Sequence, residues 1–160
     1  MAPRAPRFRG QVMRADFYHL QKWSLETALP PLVEKIQGAR HRAVLLAGST
    51  ARVEALTALL WTDAPDSWLP HGCAADGQAA HQPLWLTTED ENPNGAAVLI
   101  LTDGMDSTRK AEYQRCLDLF DGNDPAAVAA ARDRWRSCRE AGFTLFYWQQ
   151  TDHGAWQQKT

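Results

Sequence analysis

The sequence predicts a three-layer α/β/α fold built on a largely parallel or mixed central sheet. Short apolar runs such as AVLLAG (43–48) and AVLIL (97–101) have the character of buried strands, the first wholly apolar as in strands covered on both faces. Stretches with apolar residues at helical spacing alternate with those runs, the pattern of helices packed on a parallel sheet. A length of 160 residues, 44% hydrophobic and 22% charged, suits one globular core and not a disordered chain.

Taken in order, ADFYHL (15–20) is a first strand. SLETALPPLVEKIQG (24–38) is a helix with Ser24 at its N-cap, an apolar stripe of Leu25, Leu29, Leu32, Val33 and Ile36, and Gly38 at its end. Pro30 and Pro31 lie inside that pattern, so the helix either begins at the prolines or is kinked by them. AVLLAG is the second strand, and STARVEALTALLW (49–61) follows as a helix capped by Ser49 or Thr50. PLWLTT (83–88) and AVLILT (97–102) are further strands, joined through the turn-rich EDENPNG (89–95). STRKAEYQRCLDLF (107–120) and DPAAVAAARDRWRSCREAG (124–142) read as two successive helices, the second capped by Asp124, started by Pro125 and closed by Gly142. FTLFYWQQ (143–150) is the last strand. Residues 1–12 read as a disordered extension ahead of a single domain over 13–160.

Bulk chemistry narrows the function. Seventeen basic and nineteen acidic residues give a net charge of −2, so attraction to nucleic acid or to an anionic membrane has to be local. Cys73, Cys116 and Cys138 show no metal or redox spacing and read as free thiols of a reducing, cytoplasmic compartment. No apolar run is long enough to cross a bilayer, and the basic start lacks the apolar segment of a secretory signal.

Catalytic motifs fare poorly. AGST (47–50) is a strand-to-helix turn that could face a phosphate, but it lacks the spaced glycines and the lysine of a phosphate loop, and reads as a capped helix start. His71 and Cys73, with His81 nearby, make no second pair for zinc, and Asp103 and Asp106 are explained by turn chemistry. The expectation is a protein with no catalytic site, cofactor or metal of its own.

Aromatic and cationic residues form a more specific pattern. LLWTDAPDSWLPHG (59–72) carries Trp61 and Trp68 where a helix gives way to a loop with Pro65 and Pro70, a place where large aromatics need a core or a partner. On the helix over 124–142, Arg132, Trp135, Arg136 and Arg139 share one face, bordering an apolar stripe of Val128, Ala131, Trp135 and Cys138. Aromatics rimmed by arginines suit a short peptide with an apolar end and a carboxylate, because burial of the one is joined to a charge-assisted grip on the other.

The chain resembles the DNA polymerase III chi subunit family over about residues 15–159. The residues that carry this are FYHL (17–20), LW with SWLPHG (60–61 and 67–72), FDGND (120–124), ARDRW (131–135), AGF (141–143) and YWQQ (147–150). The resemblance implies a Rossmann-like, non-catalytic adaptor of the clamp loader. It binds the acidic C-terminal tail of single-stranded-DNA-binding protein, pairs with the psi subunit, and meets DNA through its partner. It further implies a tail site formed by Trp61, Trp68, Pro70, Arg132, Trp135 and Arg136, with Trp68, Trp135 and Arg136 standing where the family often has Phe, Tyr and Lys. Trp61 and Trp68 would wall the pocket for the tail's terminal phenylalanine, and Arg132 would hold its carboxylate. Two rival readings are a direct single-stranded nucleic-acid binder, against which the charge balance and the want of a basic groove speak, and a small nucleotide-binding enzyme using AGST.

Overall fold

A computed structural model describes residues 13–62 and 69–159. Eight strands form one sheet in the order β3-β4-β2-β5-β6-β1-β7-β8. They are β1 (Arg14–Leu20), β2 (Ala43–Leu46), β3 (Gly72–Cys73), β4 (Leu84–Thr87), β5 (Val98–Leu101), β6 (Arg115–Asp121), β7 (Thr144–Gln150) and β8 (Trp156–Lys159). All neighbours are parallel except β7 and β8. The helices are α1 (Leu25–Gly38), α2 (Thr50–Thr62) and α3 (Pro125–Glu140). The three-layer α/β reading holds. The expectation for residues 1–12 lies outside the described residues, as does that for Trp68.

Strand periodicity sorts the core into two layers, because alternate side chains leave opposite faces of a sheet. Ala43 and Leu45 of β2, Tyr18 and Leu20 of β1, and Leu117 and Leu119 of β6 pack with α1 and α2. Val44 and Leu46, Ala15 and Phe17, and Cys116 and Phe120 pack on the other face, with Ala131 and Cys138 of α3. α1 and α2 therefore lie on one side of the sheet and α3 on the other. α1 runs unbroken through Pro30 and Pro31, and Ser24 stands at its N-cap position, its carbonyl accepting from the N–H groups of Thr27 and Ala28. At the AGST turn, Ser49 caps α2 by accepting from the Arg52 N–H at 3.1 Å. All three cysteines are free and buried.

Residues 107–120 overturn the expected helix. They hold a 3₁₀ turn at Lys110–Glu112 and then β6, which pairs with both β5 and β1. Tyr113, Cys116, Leu117 and Phe120 mimic helical spacing, while Asp118 interrupts what would otherwise read as an apolar strand. Period two is the true pattern: Cys116, Asp118 and Phe120 face α3, and Leu117 and Leu119 face α1. Two short strands, β3 and β8, go beyond the sequence reading.

Two buried carboxylates organise the sheet. Asp16, fully buried, accepts from both Arg14 and Arg115 and from the Trp148 indole at 2.7–2.9 Å. Burial alone would raise its pKa, but those three donors outweigh it and hold the carboxyl below its ordinary range. Asp118 accepts from Arg134 Nε at 2.6 Å and from a second guanidinium nitrogen at 3.1 Å, with both side chains buried. Here burial pushes Asp118 up while Arg134 pulls it down, and the carboxylate raises the guanidinium's own pKa against the effect of burial. Removing one partner of such a pair strands a charge in the core. Arg134→Met is expected to cost about 3–5 kcal/mol in urea unfolding, and a loss under 1 kcal/mol would show that the pair does not anchor α3.

Candidate peptide-binding site

α3 starts cleanly. Asp124 accepts from the Ala126 N–H at 3.0 Å, Pro125 takes the first turn where its missing donor costs nothing, and Gly142 leaves in the left-handed region at φ +87°. Because Arg134 is drawn down to Asp118, the residues two places either side turn away from the sheet. Arg132 and Arg136 are exposed, and Trp135 sits between, half-buried. The border position expected for Trp135 is what the structure has.

Trp135 packs edge-on against Phe17 of β1, with ring centroids 5.2 Å apart, and against Tyr147 of β7 at 6.1 Å. Between α3 and these strands opens a cavity of about 370 Å³. Phe17, Phe120, Val128, Trp135 and Tyr147 give it an apolar floor, and His19, Gln149 and Arg132 bring polar groups to it. Among the described residues Arg132 makes no ion pair, while Arg136 reaches Asp133 at 3.7 Å with both side chains exposed. Such an exposed pair holds its charge loosely. The cavity can therefore seat one large apolar side chain, with a guanidinium at its rim ready for an anion.

The proposed site residues do not all meet there. Trp61 lies in the last turn of α2, on the opposite face of the sheet, 51% exposed and tilted at 39° against the His71 ring with centroids 4.2 Å apart. His71 is buried, its ring nitrogens 2.6 and 3.1 Å from the carbonyl oxygens of Leu69 and Thr57. Pro70 accepts a hydrogen bond from Gln37 of α1 at 2.7 Å, on that same side. The expectation of one cleft joining Trp61 and Pro70 to Arg132 is thus corrected: the sheet separates them, leaving Arg132, Trp135 and Arg136 together on α3. Trp68 lies outside the described residues. Site residues missed at first are Phe17, His19, Phe120, Tyr147 and Gln149. The signal for all but Phe120 was available in FYHL and YWQQ, where alternate positions of two adjacent strands face α3; Phe120 comes from β6.

The larger cavity, about 750 Å³ at the C-terminal ends of β1 and β6, is less suited to an anion. Its Arg52 is taken by Glu26 and Asp103, its Arg134 by Asp118, and Asp121 and Asp124 also line it. The Gly48 N–H of the AGST turn donates at 3.0 Å to Asp103, which lines this cavity, so a carboxylate stands where a phosphate would have to sit.

His19 contacts the Tyr147 hydroxyl through Nδ1 and, among the described residues, leaves Nε2 without a partner, close against Gly122. A Cβ at residue 122 would collide with this ring and with the Leu20 carbonyl, which explains the glycine.

A family model described as DNA polymerase III chi subunit, HolC, matches residues 12–146. The "Probable DNA polymerase III subunit chi" of Rickettsia prowazekii (strain Madrid E) is 30% identical over 105 residues, covering 66% of this chain and 64% of the relative's length. Among the described residues no helix is long and apolar enough to cross a membrane.

Burial, and less strongly the Arg132 charge, lower the His19 pKa from its ordinary 6.5, so the folded state favours the neutral ring. Stability tied to that ring is complete above pH 6.5 and is lost as pH falls through the lowered value. Between about pH 7.5 and about pH 5.5, His19→Gln is expected to lose less unfolding free energy than the wild type; equal losses would show that His19 does not set this dependence.

Proposed function

Because the chain belongs to the DNA polymerase III chi subunit family, we propose that it tethers a DNA polymerase III assembly to the acidic C-terminal tail of single-stranded-DNA-binding protein through the α3 cavity. The observation that carries this is Arg132, unpaired among the described residues, at the rim of an aromatic-floored cavity. The tail's terminal phenylalanine enters between Phe17, Trp135 and Tyr147, Arg132 takes its carboxylate in a charge-assisted bond, and Arg136 draws in the preceding aspartates. Burying that ring supplies about 1.5–3 kcal/mol, and the contact is small, so single tails bind weakly and salt weakens them further. Several tails on one coated strand raise the local concentration and turn weak contacts into a lasting tether.

An adaptor needs a second surface, and Trp61 supports one. It is the large apolar side chain left exposed among the described residues, on the face opposite the tail cavity. The psi subunit of the clamp loader is the occupant proposed for that face. Two partners can then bind at once without competing for the same residues.

Calorimetry with a synthetic acidic tail ending in Pro-Phe tests the site. Arg132→Ala should weaken binding by about 10- to 100-fold, Trp135→Ala should do likewise through the lost ring wall, and Trp61→Ala should leave affinity unchanged. Full-strength binding by Arg132→Ala, or a large loss in Trp61→Ala, overturns the assignment of the tail to α3.

A further inference from the structure

The overall charge balance gave no expectation of a basic groove, and the structure corrects this. On the α1 face, at the N-terminal ends of β1, β5 and β6, lies a cavity of about 590 Å³ with no acidic residue in its lining among the described residues. Arg14, Arg115 and Lys35 bring positive charge to it, and Tyr18, Trp148 and Trp156 bring aromatic surface. These residues come from β1, β6, α1, β7 and β8, so no short stretch of sequence announces them.

The charge is not cancelled. Asp16 lies beneath both arginines, a single carboxylate against two guanidiniums, and it is already satisfied by Arg14, Arg115 and Trp148. Each arginine keeps an exposed part, with 37% of either side chain open to solvent. Lys35 is exposed in the last turn of α1 and makes no ion pair among the described residues; it also offsets the negative end of that helix's dipole. Counting Arg14, Arg115 and Lys35 against Asp16 leaves a local charge of +2, within a protein whose total is −2.

The aromatics are pre-set. Trp148 lies nearly parallel to Tyr18, with an interplanar angle of 11° and centroids 6.2 Å apart. Trp156, brought over by the antiparallel β8, meets Tyr18 edge-on at 4.9 Å. The Asp16 bond holds the Trp148 indole at 2.9 Å, and an Arg115 nitrogen lies 3.1 Å from the Tyr18 hydroxyl. Both tryptophans remain half-buried and line the cavity, so ring surface is offered without the entropy of ordering it.

We propose that this groove binds a short segment of single-stranded nucleic acid, its bases stacking on Trp148 and Trp156 and its phosphates meeting Arg14, Arg115 and Lys35. Stacking rings flanked by cations is the combination that holds single strands without reading their sequence. The α3 cavity, by contrast, offers one aromatic slot and a single guanidinium at its rim, which suits a chain end better than a polyanion.

Fluorescence anisotropy of a labelled oligothymidylate with the full chain, and no other protein, provides the test. Binding is expected at low salt, with log K falling against log salt at a slope of about −2 for three phosphate contacts. Trp156→Ala should weaken it by roughly ten-fold, and Lys35→Ala should make the slope shallower by about 0.7. Trp156 packs on Tyr18, so Lys35→Glu serves as a second variant at an exposed position and should abolish binding. Arg132→Ala should bind the oligonucleotide like the wild type. No binding at low salt, equal binding by Lys35→Glu, or stronger occupancy by an acidic peptide without aromatic residues would each overturn the proposal.

Discussion

The buried pair between Arg134 and Asp118 is the constraint on which the surface of α3 depends. A guanidinium drawn inward at residue 134 fixes the rotation of the helix about its axis. Positions 132 and 136 lie about 200° away around the helix and must point outward, while Trp135 is carried to the edge. One ion pair thus decides which arginines are structural and which are free to meet a ligand. Buried pairs are a costly way to gain stability, yet here the pair sets orientation as well, which an apolar replacement of equal volume would do less sharply.

The sheet is also a partition. Its two faces carry different chemistry because successive residues of β1 and β7 look opposite ways: Phe17, His19 and Tyr147 toward α3, Tyr18 and Trp148 toward α1. A pair of adjacent strands thereby builds the aromatic floor of one cavity and the aromatic wall of another. Under the proposed tethering role, separate sites on one rigid support avoid mutual exclusion.

Much of this was legible in the residues. The apolar runs of β2 and β5, the caps of α2 and α3, and the border position of Trp135 follow from local pattern and capping chemistry. β6 was not, because Asp118 looks like the polar face of a helix until its partner sixteen residues on is brought against it. The gathering of Trp61 and Arg132 into one cleft failed for a different reason. Residue type can mark both as binding groups, but only the crossover of each helix decides its side of the sheet. The basic groove was hidden likewise, its members being scattered from Arg14 to Trp156.

β1, the N-terminal strand among the described residues, sits between β6 and β7, both of which lie far along the chain from it. The Gln150 amide oxygen reinforces this closure by accepting three successive backbone N–H groups, those of Gln21, Lys22 and Trp23. β1 therefore gains its two sheet neighbours only once β6 and β7 have been made, and pairings of such high sequence separation are slow to close. Until then both its edges are unpaired, and an unpaired strand edge is a template on which other chains can pair.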